Sequence, residues 1–314
     1  MARTVASEAL ADVELGGGLR AHRLVAVLFL LFGVAAITVV ARQGVVPGVG
    51  PIALLLLSAA LFANRGGRFV RDWLPVVLGV FAYRLSGQLA HRLDLPVHYT
   101  PQIEADRLLG FGTLPTVWLQ DHLYAGATGV LEVFSVLMYL SHYVAPFLLA
   151  FFLWWRRSKG FSDLMLCLLT VTALAEVTFL LAATAPPWLA AEHGLIGPVH
   201  PILERGLYDL HLTGLAGMKG SASAYNIVAA VPSLHVAWPV IGLIVMRRHH
   251  FPKPAQAAQA MLVLGVIFAV AYMGEHYVVD AFAGVLYAVF GCWLVQLAHR
   301  GRRVRDLGST PASS

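Results

Sequence analysis

The stretch Val231-Pro232-Ser233-Leu234-His235 opens an apolar run that continues to Met246. A second stretch, Gly274-Glu275-His276-Tyr277-Val278-Val279-Asp280-Ala281-Phe282-Ala283-Gly284, opens a run that continues to Ala298. Both runs approach the length of a membrane helix, about 20 apolar residues. Each carries ionisable groups at its start, and a charge at a membrane helix is costly enough to be read as functional. The two stretches therefore predict a bundle of spanning helices with a reactive cluster at one of its ends.

The rest of the chain agrees with that reading. Of its 314 residues 58% are hydrophobic and 12% charged, and its mean hydropathy is +0.72. A soluble domain carries about 25% charged residues. The fold class expected is all-α, a polytopic integral membrane helix bundle of about eight transmembrane helices. They are read as roughly Leu24–Ala41, Val45–Ala63, Trp73–Ala90, Thr128–Trp155, Leu164–Ala183, Val231–Met246, Ala257–Met273 and His276–Ala298. Pro47 and Pro51 make the second the weakest of them. No internal repeat is evident. A net charge of +5 gives no argument for nucleic acid. Cys167 and Cys292 each lie within an apolar run and read as lipid- or core-facing thiols, not as a disulfide or a metal pair. Met1 to Arg23 has no apolar run of the kind a cleavable signal needs.

Charge distribution orients the bundle. With the N-terminus inside and an even number of spans, the inner segments hold sixteen of the twenty-two lysines and arginines, although the outer loops are much longer. By the positive-inside rule both termini are cytoplasmic. The expected layout is a cytoplasmic segment over 1–23, N-terminal transmembrane helices over 24–91 and an outer interfacial segment over 92–127. A catalytic membrane core follows over 128–299, with an outer loop over 184–230, and then a cytoplasmic disordered tail over 300–314. His235 and His276 fall near the same, outer interface. Leu93–Ala127 mixes apolar with acidic and turn residues and reads as interfacial helix. Thr184–Ala230, with Pro186-Pro187-Trp188 and a glycine-rich stretch, reads as a lid over the outer site.

His276 and Asp280 are four apart and share a helix face. A carboxylate there can accept the imidazole Nδ1 proton, fix the tautomer and stabilise the cation, which leaves Nε2 as nucleophile or base. His235 can supply the complementary acid. Ser233 and the N–H groups after Pro232 begin a helix, a natural anion site. Either motif alone is unspecific; two on one face of one chain are considerably more so.

These residues resemble the second and third motifs of the type 2 phosphatidic acid phosphatase (PAP2) superfamily. The closer match is to its inositol-phosphorylceramide-synthase-like branch, where Pro-Ser-Leu-His stands in place of Pro-Ser-Gly-His. Asp106 through Leu114-Pro115-Thr116, Tyr139-x-x-His142-x-x-x-Pro146 and Ala185-Pro186-Pro187-Trp188 agree with it, so the resemblance covers about Glu104 to Gly284. It implies that His276 attacks phosphorus to form a phosphohistidine, that Asp280 holds His276, and that His235 protonates the departing alkoxide and later activates the acceptor. It implies no metal and no cofactor. The chain departs from the wider superfamily in having no Lys-x6-Arg-Pro motif, and in having Val270 where an arginine precedes the last histidine.

Phosphate charge must therefore be met elsewhere. Lys219, before the His235 helix, and Arg84, near the outer end of a span, are candidates, and each has a plain alternative as a solvated or snorkelling side chain. Glu132 and Glu176 lie within spans, where a pair with Arg84 is plausible. Asn226 is a candidate for positioning an acceptor hydroxyl, or a turn residue. His142 reads as hydrogen-bonded packing, and the remaining histidines lack metal-ligand spacing.

The function expected is a membrane phosphotransferase. It moves a phosphoinositol-like head group from a phospholipid donor to a lipid hydroxyl at the extracytoplasmic face. The chemical alternative is a phosphatase that uses water on a lipid phosphate or polyprenyl pyrophosphate. A transporter or channel would need charges spread through the midplane and inverted repeats; here the polar constellation gathers at one interface.

Overall fold

In a computed structural model the chain is described over residues 24–35, 38, 49–92, 96–212 and 226–308. Among these residues it is all-helical, as expected. The helices are α1 (Leu24–Ala35), α2 (Val49–Phe62), α3 (Gly66–Arg92), α4 (Thr100–Leu109), α5 (Pro115–Leu123) and α6 (Val130–Trp155). There follow α7 (Gly160–Leu181), α8 (Pro187–Glu192), α9 (Ile202–Asp209), α10 (Leu234–Arg248), α11 (Lys253–Tyr272) and α12 (Val278–Gly308). The chain divides into two compact units, one up to Leu78 together with His211–Leu215, the other formed by the remainder from Gly79. Within the first, Ser58 Oγ on α2 donates to the Ala26 carbonyl of α1 at 2.9 Å.

Among the described residues, four helices are long and apolar enough to cross a membrane: α6, α7, α11 and α12 as far as Gly301. α10 has 15 residues, about 22 Å at 1.5 Å per residue. It begins late because Ser233 is extended (φ −70°, ψ 107°), and His249 at φ −98° closes it. α2 has 14 residues, and α3 has 27 with Pro75 inside. α12 continues to Gly308, so residues 300–308 are helix where a tail was expected; residues 1–23 and 309–314 lie outside the described residues.

α10 is the axis of the second unit, packed on α6, α7, α11 and α12. Its core-facing side chains Val236, Ala237, Ile241 and Val245 are fully buried. Pro239 interrupts its hydrogen bonding, and Gln259 Nε2 of α11 donates to the Pro239 carbonyl at 2.8 Å. One buried carboxyl between helices is satisfied in the same way. Glu132, weighed above as a partner for Arg84, takes the Gly129 N–H at 2.7 Å and the Tyr272 hydroxyl.

The segments between helices fold into a cap over the start of α12. Ile103 of α4, Leu114, Ala190 of α8 and Tyr277 form a buried cluster, with Tyr99, Val117, Ile196 and Val279 against it. Gln120 of α5 staples the cap to the bundle. Its Nε2 donates to the Tyr272 carbonyl at 2.8 Å and its Oε1 accepts the His200 N–H at 2.7 Å. Three extended segments also lie side by side, with His98 and Ala229 flanking Thr184. Thr184 Oγ1 accepts the Val231 N–H at 2.9 Å, which ties this strap to the backbone just before Ser233. Over 96–127, within the stretch read as interfacial helix, the chain forms α4 and α5.

Candidate active site

Two chain turns converge here. At the first, Ser233 precedes α10 and puts His235 in its opening turn. At the second, Gly274 at φ +73° ends α11, and the N–H groups of Glu275 and His276 both return to the Val270 carbonyl at 2.9 and 3.1 Å. A glycine in the left-handed region is the usual way to stop a helix and reverse the chain. His276 therefore sits in the turn, two residues before α12, whereas the sequence placed it on the helix. The local geometry still brings it to Asp280, because Asp280 Oδ2 accepts the Tyr277 N–H at 2.9 Å and folds back over the helix start.

The turns are held against each other by backbone. The Ser233 N–H donates to the Asp280 carbonyl at 3.1 Å. A Cβ on Gly284 would lie 2.4 Å from the Ser233 carbonyl oxygen, so only glycine permits this approach of α12 to α10. As a result His235 Nδ1 and His276 Nε2 are 3.0 Å apart, and His276 Nδ1 is 3.5 Å from Asp280 Oδ2. His235, His276 and Asp280 are 8%, 4% and 0% exposed. One consistent proton arrangement has Asp280 facing a proton on His276 Nδ1, and His235 Nδ1–H donating to the lone pair of His276 Nε2. In that arrangement the His276 Nε2 lone pair and the His235 Nδ1 proton face each other.

Two further groups, given no catalytic or positioning role by the sequence, belong to this neighbourhood. His142 of α6, read as packing, has its ring 4.0 Å from that of His235. Its Nδ1 bonds the Tyr139 carbonyl, so that nitrogen carries the proton, since a carbonyl only accepts. Tyr139 lies 4.5 Å from the His235 ring, so α6 walls the imidazole on one side. The spacing of Tyr139, His142 and Tyr143 on one helix face was the available signal.

Asp106 of α4 is fully buried, and its Oδ1 accepts the N–H of Val279 at 2.9 Å, across 173 residues of chain. It caps α12 from outside. Burial above all holds its carboxyl at about 6, against the ordinary 3.8; the Val279 N–H pulls it down and the Asp280 charge pushes it up. Burial likewise pushes the Tyr277 hydroxyl upward. Nothing local in the sequence announces the Asp106 contact.

The other expected residues fall as follows. Ser233 is fully buried, and its Oγ has no hydrogen-bond partner, at the start of α10. Asn226 Oδ1 closes a turn onto the Val228 N–H at 3.3 Å. Arg205 is occupied by the Tyr124 hydroxyl and the Gly126 carbonyl. Lys219 and the side chain of Arg84 lie outside the described residues. Among the described residues, no group of three or more His, Cys, Asp or Glu is arranged to hold a metal ion.

A model of the PAP2 superfamily matches residues 103–294, more than half of the chain and all of the groups above that touch α10 and α12. A phosphoinositol dihydroceramide synthase of Bacteroides thetaiotaomicron is 27% identical over 177 residues, 52% of this chain and 55% of that protein. The chain thus spans about half the length of the curated relative it matches. No solved structure matches it.

Proposed function

The chain belongs to the PAP2 superfamily, and on that premise we propose that it is a membrane phosphotransferase working through a phosphohistidine. His276 Nε2 attacks the phosphorus of a phospholipid donor. The bond from phosphorus to the lipid alkoxide breaks, and His235 gives that oxygen its proton, releasing a neutral lipid alcohol. Asp280 holds the Nδ1 proton of His276 and stabilises the cationic ring. In the second half, a lipid hydroxyl attacks the same phosphorus and passes its proton to His235. The phosphorus–nitrogen bond breaks and His276 is restored. His235 and His276 are in direct contact at 3.0 Å, so the His235 ring turns aside for phosphorus to enter between them.

The observation that carries this reading is the His235–His276–Asp280 array, with separations of 3.0 and 3.5 Å at a buried junction of two helix starts. Ser233 Oγ and the first N–H groups of α10 supply donors for phosphate oxygens, helped by the positive end of the helix dipole. Lys219 and Arg84 are the cations assigned to the remaining charge, and Asn226 shapes the acceptor side. The cap of α4, α5 and α8 favours transfer over hydrolysis, because excluding water protects a phosphohistidine until a lipid hydroxyl arrives. The name of the Bacteroides relative points to a phosphoinositol-like group as the one moved. The positive-inside distribution supports a site at the extracytoplasmic face with both termini in the cytoplasm.

The test is mass spectrometry of products from purified protein, given phospholipids with labelled head-group phosphate, with and without ceramide or diacylglycerol as acceptor. A new labelled phosphodiester lipid that requires the acceptor is the expected product. A free labelled head-group phosphate, formed equally well without acceptor, identifies a phosphatase instead.

A further inference from the structure

At the other end of α10, about 20 Å from His235 by helix rise, the chain makes a second kind of site. The turn into α11 borders a groove of about 710 Å³. Its upper rim carries Arg247, His250 and Lys253, and none of the residues lining it is acidic. The turn is fixed by its own backbone. His250 is left-handed at φ +53°, the Phe251 N–H returns to the Met246 carbonyl at 2.9 Å, and Gln256 Nε2 donates to the Phe251 carbonyl at 2.7 Å. Arg247 and Lys253 thus come to the same groove from two different helices.

The neighbouring charges do not cancel this potential. Asp163, the carboxylate at the start of α7, has both oxygens engaged, with His249 Nε2 at 2.8 Å and His299 Nδ1 at 3.4 Å. Arg248 turns into the bundle, donating to the Cys292 carbonyl at 3.1 Å, while Arg247 is exposed toward the groove. Arg156 adds to the positive side. It lies 5.6 Å over the Phe152 ring, which is 6.0 Å from the Phe251 ring that lines the groove.

Below the rim the lining changes character. Lys253, Ala257 and Ala260 lie at successive turns of one face of α11, so the wall passes from a cation to small apolar side chains over about 10 Å. A free phosphate needs only the rim. An amphiphile with an anionic head and a hydrocarbon chain fits the whole wall. We propose that this groove binds the head group of an anionic phospholipid in the leaflet opposite the catalytic histidines, with its first acyl carbons along Ala257 and Ala260. The inference rests on the chain spanning a bilayer and not on the phosphotransfer reading.

The experiment is native mass spectrometry of the full chain, delipidated and then offered phosphatidylglycerol, phosphatidylcholine or inorganic phosphate. Wild type is expected to retain phosphatidylglycerol at least tenfold better than phosphatidylcholine, from two or more cations at the head group. The double variant Arg247→Gln, Lys253→Gln should lose that preference while keeping its thermal stability in phosphatidylcholine. Ala260→Trp, which fills the apolar part and leaves the charges, should lose it as well. Equal retention of the two lipids by wild type overturns the proposal, as does a preference that survives the double substitution. Displacement of phosphatidylglycerol by millimolar inorganic phosphate also overturns it, by reducing the site to a simple anion patch. The wild-type comparison decides the matter even if a variant fails to fold, and turnover is not the readout.

Discussion

Asp106→Asn isolates one buried carboxyl whose ionisation the fold opposes. The group is fully buried, and its carboxyl is held at about 6 against 3.8. A rise of that size corresponds to about 3 kcal/mol of preference for the protonated form. The sign follows from the direction: folding favours the neutral acid, so Asp106 contributes most below pH 3.8, and this contribution is lost as pH rises through about 6. Asparagine is neutral throughout and still offers an oxygen to the Val279 N–H. Its NH2 lands where Asp106 Oδ2 has no partner, a pH-independent cost of about 1–3 kcal/mol. The pH dependence, and not the Tm at one pH, is therefore the discriminating quantity. Thermal unfolding in detergent should show the variant gaining on wild type by about 2.4 kcal/mol between pH 4 and pH 7, about 5–10 °C in Tm for a unit of this size. Parallel Tm profiles for the two proteins across that range would refute the reasoning. Asp106→Ala removes the acceptor itself, and should lower kcat by loosening the start of α12 where Asp106→Asn does not.

His276→Ala should abolish label transfer from a phosphate-labelled lipid to the protein while membrane insertion persists. Asp280→Asn should lower kcat by about 10³–10⁴-fold with little change in KM, by analogy with the loss of an orienting acid in a triad; near-normal turnover in either variant removes the phosphohistidine mechanism. Gly284→Ala places a methyl 2.4 Å from the Ser233 carbonyl oxygen. It should cost about 1–3 kcal/mol in stability and roughly 100-fold in kcat, because a misplacement of about 1 Å at the reacting groups has that effect; wild-type kinetics would show that α10 and α12 separate harmlessly. Lys219→Ala should raise KM for the donor lipid if the lysine meets phosphate, and unchanged kinetics would return it to the solvated loop.

Periodicity and composition made the membrane helices legible, because an apolar run long enough to span a bilayer has few other uses. The candidate trio was legible for a related reason: ionisable groups such as His235, His276 and Asp280 are expensive at membrane helix ends. Their contacts were not. The sequence placed His276 on a helix, whereas Gly274 and the Val270 carbonyl put it in a turn and Asp280 reaches back to it. Asp106 and His142 escaped a functional reading because their partners, Val279 and His235, lie 173 and 93 positions away, beyond any local pattern. Hydropathy and spacing act over a few residues and so determined the class of fold and singled out the candidate groups. Only tertiary packing, in which Gly284 lets the Ser233 carbonyl approach α12 and Asp106 caps that helix from α4, decided which nitrogen faces which, because that depends on atoms brought together across the whole bundle.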